Sequence, residues 1–264
     1  TRKNIKAMLT TEDCQIIFID TPGAHLPKNK LGEHMMKSVR AAVRDVDLLL
    51  LLVDARSRDF DSRERELLKL SAATSVPAVL LVNKADLVQK ASLLPLIGRL
   101  SAQYRFESVI PISAKTGDGL GLVLEEIRRL LPEGPQLYPA DAITDQTERQ
   151  MAADVVREKA LLLLDEEVPH GIEAEVERFA PNERGTALEI YAVLYCERES
   201  HKKIIIGKNG ESLKRIGAAA RLDLERVCGK KVFLSLWVKL KKDWRNDASA
   251  LRQMGYGRDA GGRE

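Results

Sequence analysis

The sequence predicts an α/β domain built on a doubly wound, mostly parallel sheet, followed by a smaller α+β domain. Three observations carry this. Continuous apolar runs alternate with amphipathic stretches in the first half, a proline-rich break follows, and an alternating pattern with a glycine loop fills the second half. Apolar strands separated by helices mark a parallel sheet covered on both faces.

The runs are Gln15–Ile19, Leu48–Val53, Ala78–Val82 and Ser108–Ile112. Arg63–Ala73 and Ser92–Tyr104 read as helices between them, and the domain spans residues 1–131. Pro132–Pro139 holds three prolines and a glycine. Such a stretch continues neither a helix nor a central strand, so residues 132–145 are assigned to a linker. Gln146–Leu164 then reads as an amphipathic helix, Ile172–Phe179 as a half-exposed strand, Asn182–Gly185 as a turn and Leu188–Cys196 as a second strand. Ile204–Ile206 forms an apolar turn into a glycine loop, followed by a helix over Glu211–Val227, a strand over Lys231–Leu240 and a short helix over Asp247–Met254. The second domain, residues 146–256, is expected to follow the order α-β-β-α-α-β with helices on one side of the sheet, and residues 257–264 are expected to form a disordered tail.

Composition narrows the function classes. With 264 residues, 44% apolar and 31% charged, the chain can bury two cores and is not a disordered polymer. The longest aliphatic run, Leu48–Val53, is far too short to span a bilayer, and no export signal is expected. Cys14, Cys196 and Cys228 lie far apart without metal-ligand spacing, which fits a reducing cytosol. The net charge of +3 hides an asymmetry: Cys196–Arg245 holds 14 Lys/Arg against 6 Asp/Glu, leaving the remainder at −5. A compact basic segment usually faces a polyanion, although a lysine-rich solvated surface gives the same count.

Three loops follow predicted strands, where open α/β sheets bind ligands. In Asp20-Thr21-Pro22-Gly23, the carboxylate suits Mg²⁺ held through water, and the glycine lets a backbone N–H approach a terminal phosphate. In Asn83-Lys84-Ala85-Asp86, an acceptor-only carboxylate can take both N1–H and N2–H₂ of guanine. Asn83 can reach the O6/N7 edge, and the Lys84 stem can cover the ring. The other reading of that loop is a helix start capped by Asp86. In Ser113-Ala114-Lys115-Thr116-Gly117, small residues let the Ala114 N–H reach the guanine O6. Together and in this order, the three point to a guanine-nucleotide site.

In the second domain, Gly207-Lys208-Asn209-Gly210 precedes a helix N-terminus. Two glycines let the backbone pack against a phosphate chain, and the helix adds oriented N–H groups. Lys202 and Lys203 precede the loop, and Lys214, Arg215 and Arg221 follow it. In this order of elements, the loop reads as a clamp for about four single-stranded nucleotides. Trp237 and Trp244 could stack on bases, but the alternation of its strand places Trp237 in the core. His25 and His170 are read as structural or exposed.

DTPG, NKAD and SAK resemble the third to fifth motifs of P-loop GTPases of the translation-factor class. With the G-x-x-G unit, the chain resembles the bacterial Era GTPase family from Thr1 to Tyr256. The resemblance implies a P-loop GTPase-type domain with its first strand missing, followed by a type II KH (K-homology) domain. It implies GTP/GDP and Mg²⁺ as cofactors, held by Asp20, Thr21, Pro22, Gly23, Ala24, Asn83, Lys84, Asp86, Ser113, Ala114 and Lys115. Thr1 would be the switch threonine that ligates Mg²⁺, and Asp20 would hold the ion through water. RNA would be bound by Lys202, Lys203, Ile206, Gly207, Lys208, Asn209, Gly210, Lys214, Arg215 and Arg221.

The partners implied are small-subunit ribosomal RNA near its 3′ end and the 30S subunit, whose assembly such proteins assist with nucleotide state coupled to RNA binding. The resemblance also implies a cytoplasmic monomer, with peripheral membrane association. No catalytic residue is assigned. Ala24 stands where Ras-like enzymes carry a water-orienting glutamine, so slow turnover is expected.

One GTPase element is not found. No G-x-x-x-x-G-K-[ST] occurs, because neither Gly207-Lys208 nor Gly229-Lys230 has the earlier glycine. The expectation is an N-terminal truncation that removed a strand–loop–helix unit of roughly 30 residues. Such a loss would leave two apolar strand edges facing a gap and a chain inactive as a GTP hydrolase by itself. The alternative is a GTP-independent KH RNA-binding module with a vestigial nucleotide domain.

Overall fold

The computed structural model describes residues 2–23, 27–165 and 168–256. Thr1, Ala24, His25 and the 257–264 tail lie outside the described residues, so the expectations placed on them end there. The chain forms two compact units. The first runs to Thr144 apart from Asn29–Leu31, and the second comprises those three residues and the chain from Asp145 onward.

The first unit opens with an antiparallel hairpin of β1 (Ile5–Thr10) and β2 (Gln15–Asp20), in register from Ile5↔Asp20 to Thr10↔Gln15. Strand β1 does not stand out in the sequence, because Lys6 interrupts an already short apolar pattern. After α1 (Lys30–Arg44) come β3 (Leu49–Asp54), α2 (Ser62–Thr74), β4 (Ala78–Asn83), α3 (Lys90–Ser101), β5 (Ser108–Pro111) and α4 (Leu120–Leu130). Strands β3, β4 and β5 pair in parallel with β4 central, and Ala78–Val82 are all buried. Leu51, Val53, Leu80 and Val82 meet Leu68 of α2 and Leu96 and Leu100 of α3. On the other face, Val79, Leu81 and Ile110 meet Val123 and Ile127 of α4 and Ile16 of β2.

Helix α2 starts at a capping box. Asp61 accepts from Glu64 N at 2.8 Å, and the Glu64 carboxylate accepts from Asp61 N at 2.6 Å. Helix α4 starts at Gly119 (φ 77°), where an added Cβ would lie 2.6 Å from the Pro111 carbonyl oxygen. Only glycine fits there.

Among the described residues, the sheet is divided between β2 and β3, which are not hydrogen-bonded partners. Leu52 on β3 is 52% exposed. Residues 132–144 lie along the hairpin. Leu137 N and Tyr138 N donate to Gln15 Oε1, both at 2.9 Å, and Met8 N donates to the Ile143 carbonyl at 3.0 Å.

The second unit is α5 (Glu148–Leu163), β6 (Glu173–Pro181), β7 (Ala187–Cys196), α6 (Glu199–Ile206), α7 (Glu211–Cys228), β8 (Lys231–Leu240) and α8 (Ala248–Gln253). The sheet order is β6-β7-β8, antiparallel then parallel, with Val176/Arg178 bulged. Its core joins Ala152, Val156 and Ala160 of α5 to Ile190, Ala192 and Leu194 of β7 and to Ile216, Ala220 and Leu224 of α7. Ile204–Ile206, expected as a turn, is the last turn of α6, with Ile205 fully buried. Burial of Ile205 outweighs the weak helix preference of three β-branched residues.

Candidate nucleotide and RNA sites

In the first unit, the carboxyl ends of β2, β4 and β5 carry the three loops. Asp20 ends β2 and is exposed, Thr21 is half-buried, Pro22 is buried and Gly23 is exposed. Asn83 ends β4, and its Oδ1 accepts from Lys84 N at 2.7 Å and from Ala114 N at 3.0 Å. One carboxamide thus ties the second loop to the third. The Ala114 N–H, read as a donor to guanine O6, donates here to Asn83.

Lys84 takes the left-handed conformation (φ 63°), and its Nζ donates to Asp54 Oδ2 at 2.9 Å. Arg56 grips the same carboxylate with Nε and Nη2 at 2.9 and 2.6 Å. These donors, Arg56 first and then Lys84, hold the Asp54 carboxyl well below the usual carboxylate range. Sequence reasoning missed Asp54. The β3–β4 register places it opposite Asn83.

Asp86 is exposed and does not cap a helix. The 3₁₀ turn Ala85–Leu87 begins at Lys84 with no side-chain cap. Ser113 is buried, and its Oγ accepts from Thr116 N at 3.3 Å, while Gly117 N donates to the Ser113 carbonyl at 2.9 Å. Ala114 and Lys115 are exposed at the rim. Among the described residues, no group of three or more His, Cys, Asp and Glu side chains could hold a metal ion.

In the second unit, Gly207 joins α6 to α7 at φ 74° and ψ 177°, a region essentially reserved for glycine. An added Cβ there would lie 2.7 Å from Ser212 Cβ. Asn209 (φ 51°) and Gly210 (φ 80°) are also left-handed, so the loop exposes Lys208 and Asn209 in a tight turn. Lys203, Lys214 and Arg215 are exposed, whereas Lys202 and Ile206 are half-buried.

Behind the loop lies a groove of about 410 Å³ lined by Gly210, Leu213, Lys214, Gly217, Ala218 and Arg221 of the loop and α7, and by Leu234 and Leu236 of β8. Its apolar walls were not read from the sequence. Periodicity marks Leu213, Leu234 and Leu236 as core, and only the packing of α7 beside an edge strand leaves a cleft between them. Gly217 lines that cleft, where an added Cβ would lie 3.4 Å from Leu236 Cδ1, an ordinary contact. Arg221 Nη1 donates to Glu225 Oε1 at 3.1 Å, so it serves the groove as a tethered cation.

Residues 1–133 match the elongation factor Tu GTP-binding domain, and residues 167–245 match the KH domain. The chain is 45% identical over 256 residues to GTPase Era of Ruminiclostridium cellulolyticum and 47% identical over 256 residues to that of Caldicellulosiruptor saccharolyticus. Each alignment covers 97% of this chain and 85% of the relative. The chain belongs to the Era GTPase family.

Two Era-family structures superpose with a TM-score of 0.93 at 35% identity, covering 97% of this chain and 87% of each neighbour. One is Era in complex with MgGDPNP and nucleotides 1506–1542 of 16S ribosomal RNA, and the other is a point variant of Aquifex aeolicus Era bound to GDP·AlF₄⁻. The fold is thus that of the family's P-loop GTPase domain followed by its KH domain. Among the described residues, no helix is long and apolar enough to cross a membrane.

The two tryptophans reverse their expected places. Trp244 is fully buried and donates from Nε1 to the Gly171 carbonyl at 3.0 Å, while Trp237 is 46% exposed on the sheet face away from the helices. Odd-numbered residues of β8 point outward, because Val232, Leu234 and Leu236 take the core side. His170 is exposed.

Proposed function

We propose that this chain recognises guanine nucleotides through its first unit and single-stranded RNA at the 3′ end of small-subunit ribosomal RNA through its second, as a cytoplasmic factor in 30S assembly. The observation that carries the nucleotide half is the joining of two loops by Asn83, with the Asp86 carboxylate exposed beside them. A carboxylate accepting from N1–H and N2–H₂ selects guanine over adenine, which lacks that donor pair. Asn83 and Ala114 form the rim, Ser113 supports it from below, and the Lys84 stem, anchored by Asp54, covers the ring.

Asp20, Thr21, Pro22 and Gly23 would hold Mg²⁺ and the terminal phosphates, the ion neutralising phosphate charge when bound. The chemistry assigned to Asn83, Lys84, Asp86 and Ala114 is recognition of the base. The RNA half rests on the glycine-only geometry of Gly207 beside the apolar groove with its cationic rim.

The test has two arms on the same protein. Asp86→Ala should abolish the preference for guanosine over adenosine, read as amide shift changes in an NMR titration. Gly207→Asp with Gly210→Asp should abolish binding of a 16S 3′-end oligonucleotide, read by fluorescence anisotropy, while circular dichroism stays unchanged. Equal response to both nucleosides in the unmutated protein would overturn the first assignment. RNA binding that survives the double substitution would overturn the second.

A further inference from the structure

Strand β8 has two faces and, among the described residues, one free edge. Its core-side residues Leu234 and Leu236 line the groove beside α7, and β7 is the strand that pairs with it. On the other face, Phe233 is 63% exposed and Trp237 is 46% exposed. They stand four residues apart, roughly 13 Å along the strand, with Ser235 between them.

This face is furnished for flat, electron-rich ligands. Trp237 meets Tyr191 edge-on with ring centroids 5.6 Å apart, which fixes the indole while leaving it open to solvent. Arg178 lies over the Tyr191 ring at 5.6 Å, and Lys241 lies over the neighbouring Tyr195 ring at 5.5 Å. The carboxylates of this face are matched by cations: Glu189 pairs with Arg178 at 3.2 Å, and Glu177 pairs with Lys239 of β8 at 2.6 Å, while Glu175 lies beside Tyr195. Strand β8 itself contains no acidic residue and belongs to the segment with 14 basic against 6 acidic side chains.

We propose that the outward row Phe233–Trp237 is a second RNA surface, on which unpaired bases flanking the groove-bound nucleotides stack after the strand crosses the free edge of β8. The inference rests on the groove being the RNA site. A groove of this type holds about four nucleotides, so a longer single strand must leave it, and the adjoining edge leads directly to two open aromatic rings. Aromatic stacking tolerates any base, so the surface adds affinity and length dependence rather than sequence preference. A protein partner would also find aromatic anchors here, but continuity with the groove through one strand and the positive balance of the segment favour RNA.

The experiment compares a ten-nucleotide single strand from the 16S 3′ end with its four-nucleotide pieces on the full chain. The expected result is that the longer strand binds at least about tenfold more tightly than the best short piece. Phe233→Ser with Trp237→Ser should erase that advantage and leave the short piece unaffected. Phe233→Ser alone, at the more exposed position, is the second variant should the pair disturb folding, and it should lose part of the advantage.

Trp237 supplies an independent signal, because the only other tryptophan is buried. Its emission should be quenched by the ten-nucleotide strand and not by the short piece. Trp237→Phe should remove the quench while keeping most of the affinity. A length advantage untouched by the double substitution, or an indole emission indifferent to the long strand, overturns the surface while the groove stands. No binding of either RNA overturns both.

Discussion

Trp244 shows what one buried side chain contributes. Its indole is fully enclosed, stacks at 6.4 Å on Tyr256 and donates to the Gly171 carbonyl, so it ties the segment before α8 to the start of β6. Beside it, the Tyr256 hydroxyl donates to the buried Glu173 carboxylate at 2.5 Å. Trp244→Ala should therefore destabilise the second unit by about 3–5 kcal/mol, read as a lowered denaturant midpoint at unchanged slope.

Tyr195 makes a different prediction. Burial first, and then Glu175, push its phenol up from 10.0 to about 12. Because the folded value is the higher one, the stabilisation is fully present below pH 10 and is lost as pH rises towards 12. Ultraviolet difference titration should show a late-ionising tyrosine component, and Tyr195→Phe should diminish it. A tyrosine spectrum complete near the ordinary value would contradict this placement.

Among elements, the contrast between β3 and β4 is instructive. Both are uninterrupted runs of Leu, Val and Ala and look equivalent in the sequence. Strand β4 has a partner on each side and is buried from Ala78 to Val82, whereas β3 has one partner among the described residues and leaves Leu52 half open. Amide hydrogen exchange should accordingly be faster along β3 than along β4, since an edge strand opens at lower cost than a central one. Equal protection in the two strands would mean that the free edge of β3 is covered in solution.

Helix α6 teaches the complementary lesson. Three consecutive isoleucines argue against helix locally, yet burying Ile205 against the core fixes the turn that delivers Gly207 to the loop. Propensity is a weak guide where one residue's burial decides the matter. Likewise, β1 forms although its own pattern is poor, because Gln15–Asp20 supplies a strand for it to pair with.

Over the whole molecule, legibility follows the range of the interaction involved. Residues whose role rests on local chemistry could be read directly. The apolar strand ends carrying Asp20, Asn83 and Ser113, the glycines bracketing Lys208 and Asn209, and the proline-rich stretch before Asp141 are all visible within a few positions. The grip of Asp54 on Lys84 spans 30 positions, and the bond from Leu137 to Gln15 spans 122, so neither leaves a trace in a local window. The stretch assigned to a linker is held along the first hairpin by such bonds.

The same distinction settles what each level of description can decide. By itself, the sequence determined the class of each unit, most of its strands and helices and the motifs that mark the candidate sites, because motif spacing and hydrophobic period are properties of neighbouring residues. Only the tertiary structure decided which face of β8 looks outward, which tryptophan is buried and where the groove opens. Those outcomes depend on which surfaces meet when distant segments pack. Alternation says that successive side chains point to opposite faces; the helices that cover one face decide which of them is inside.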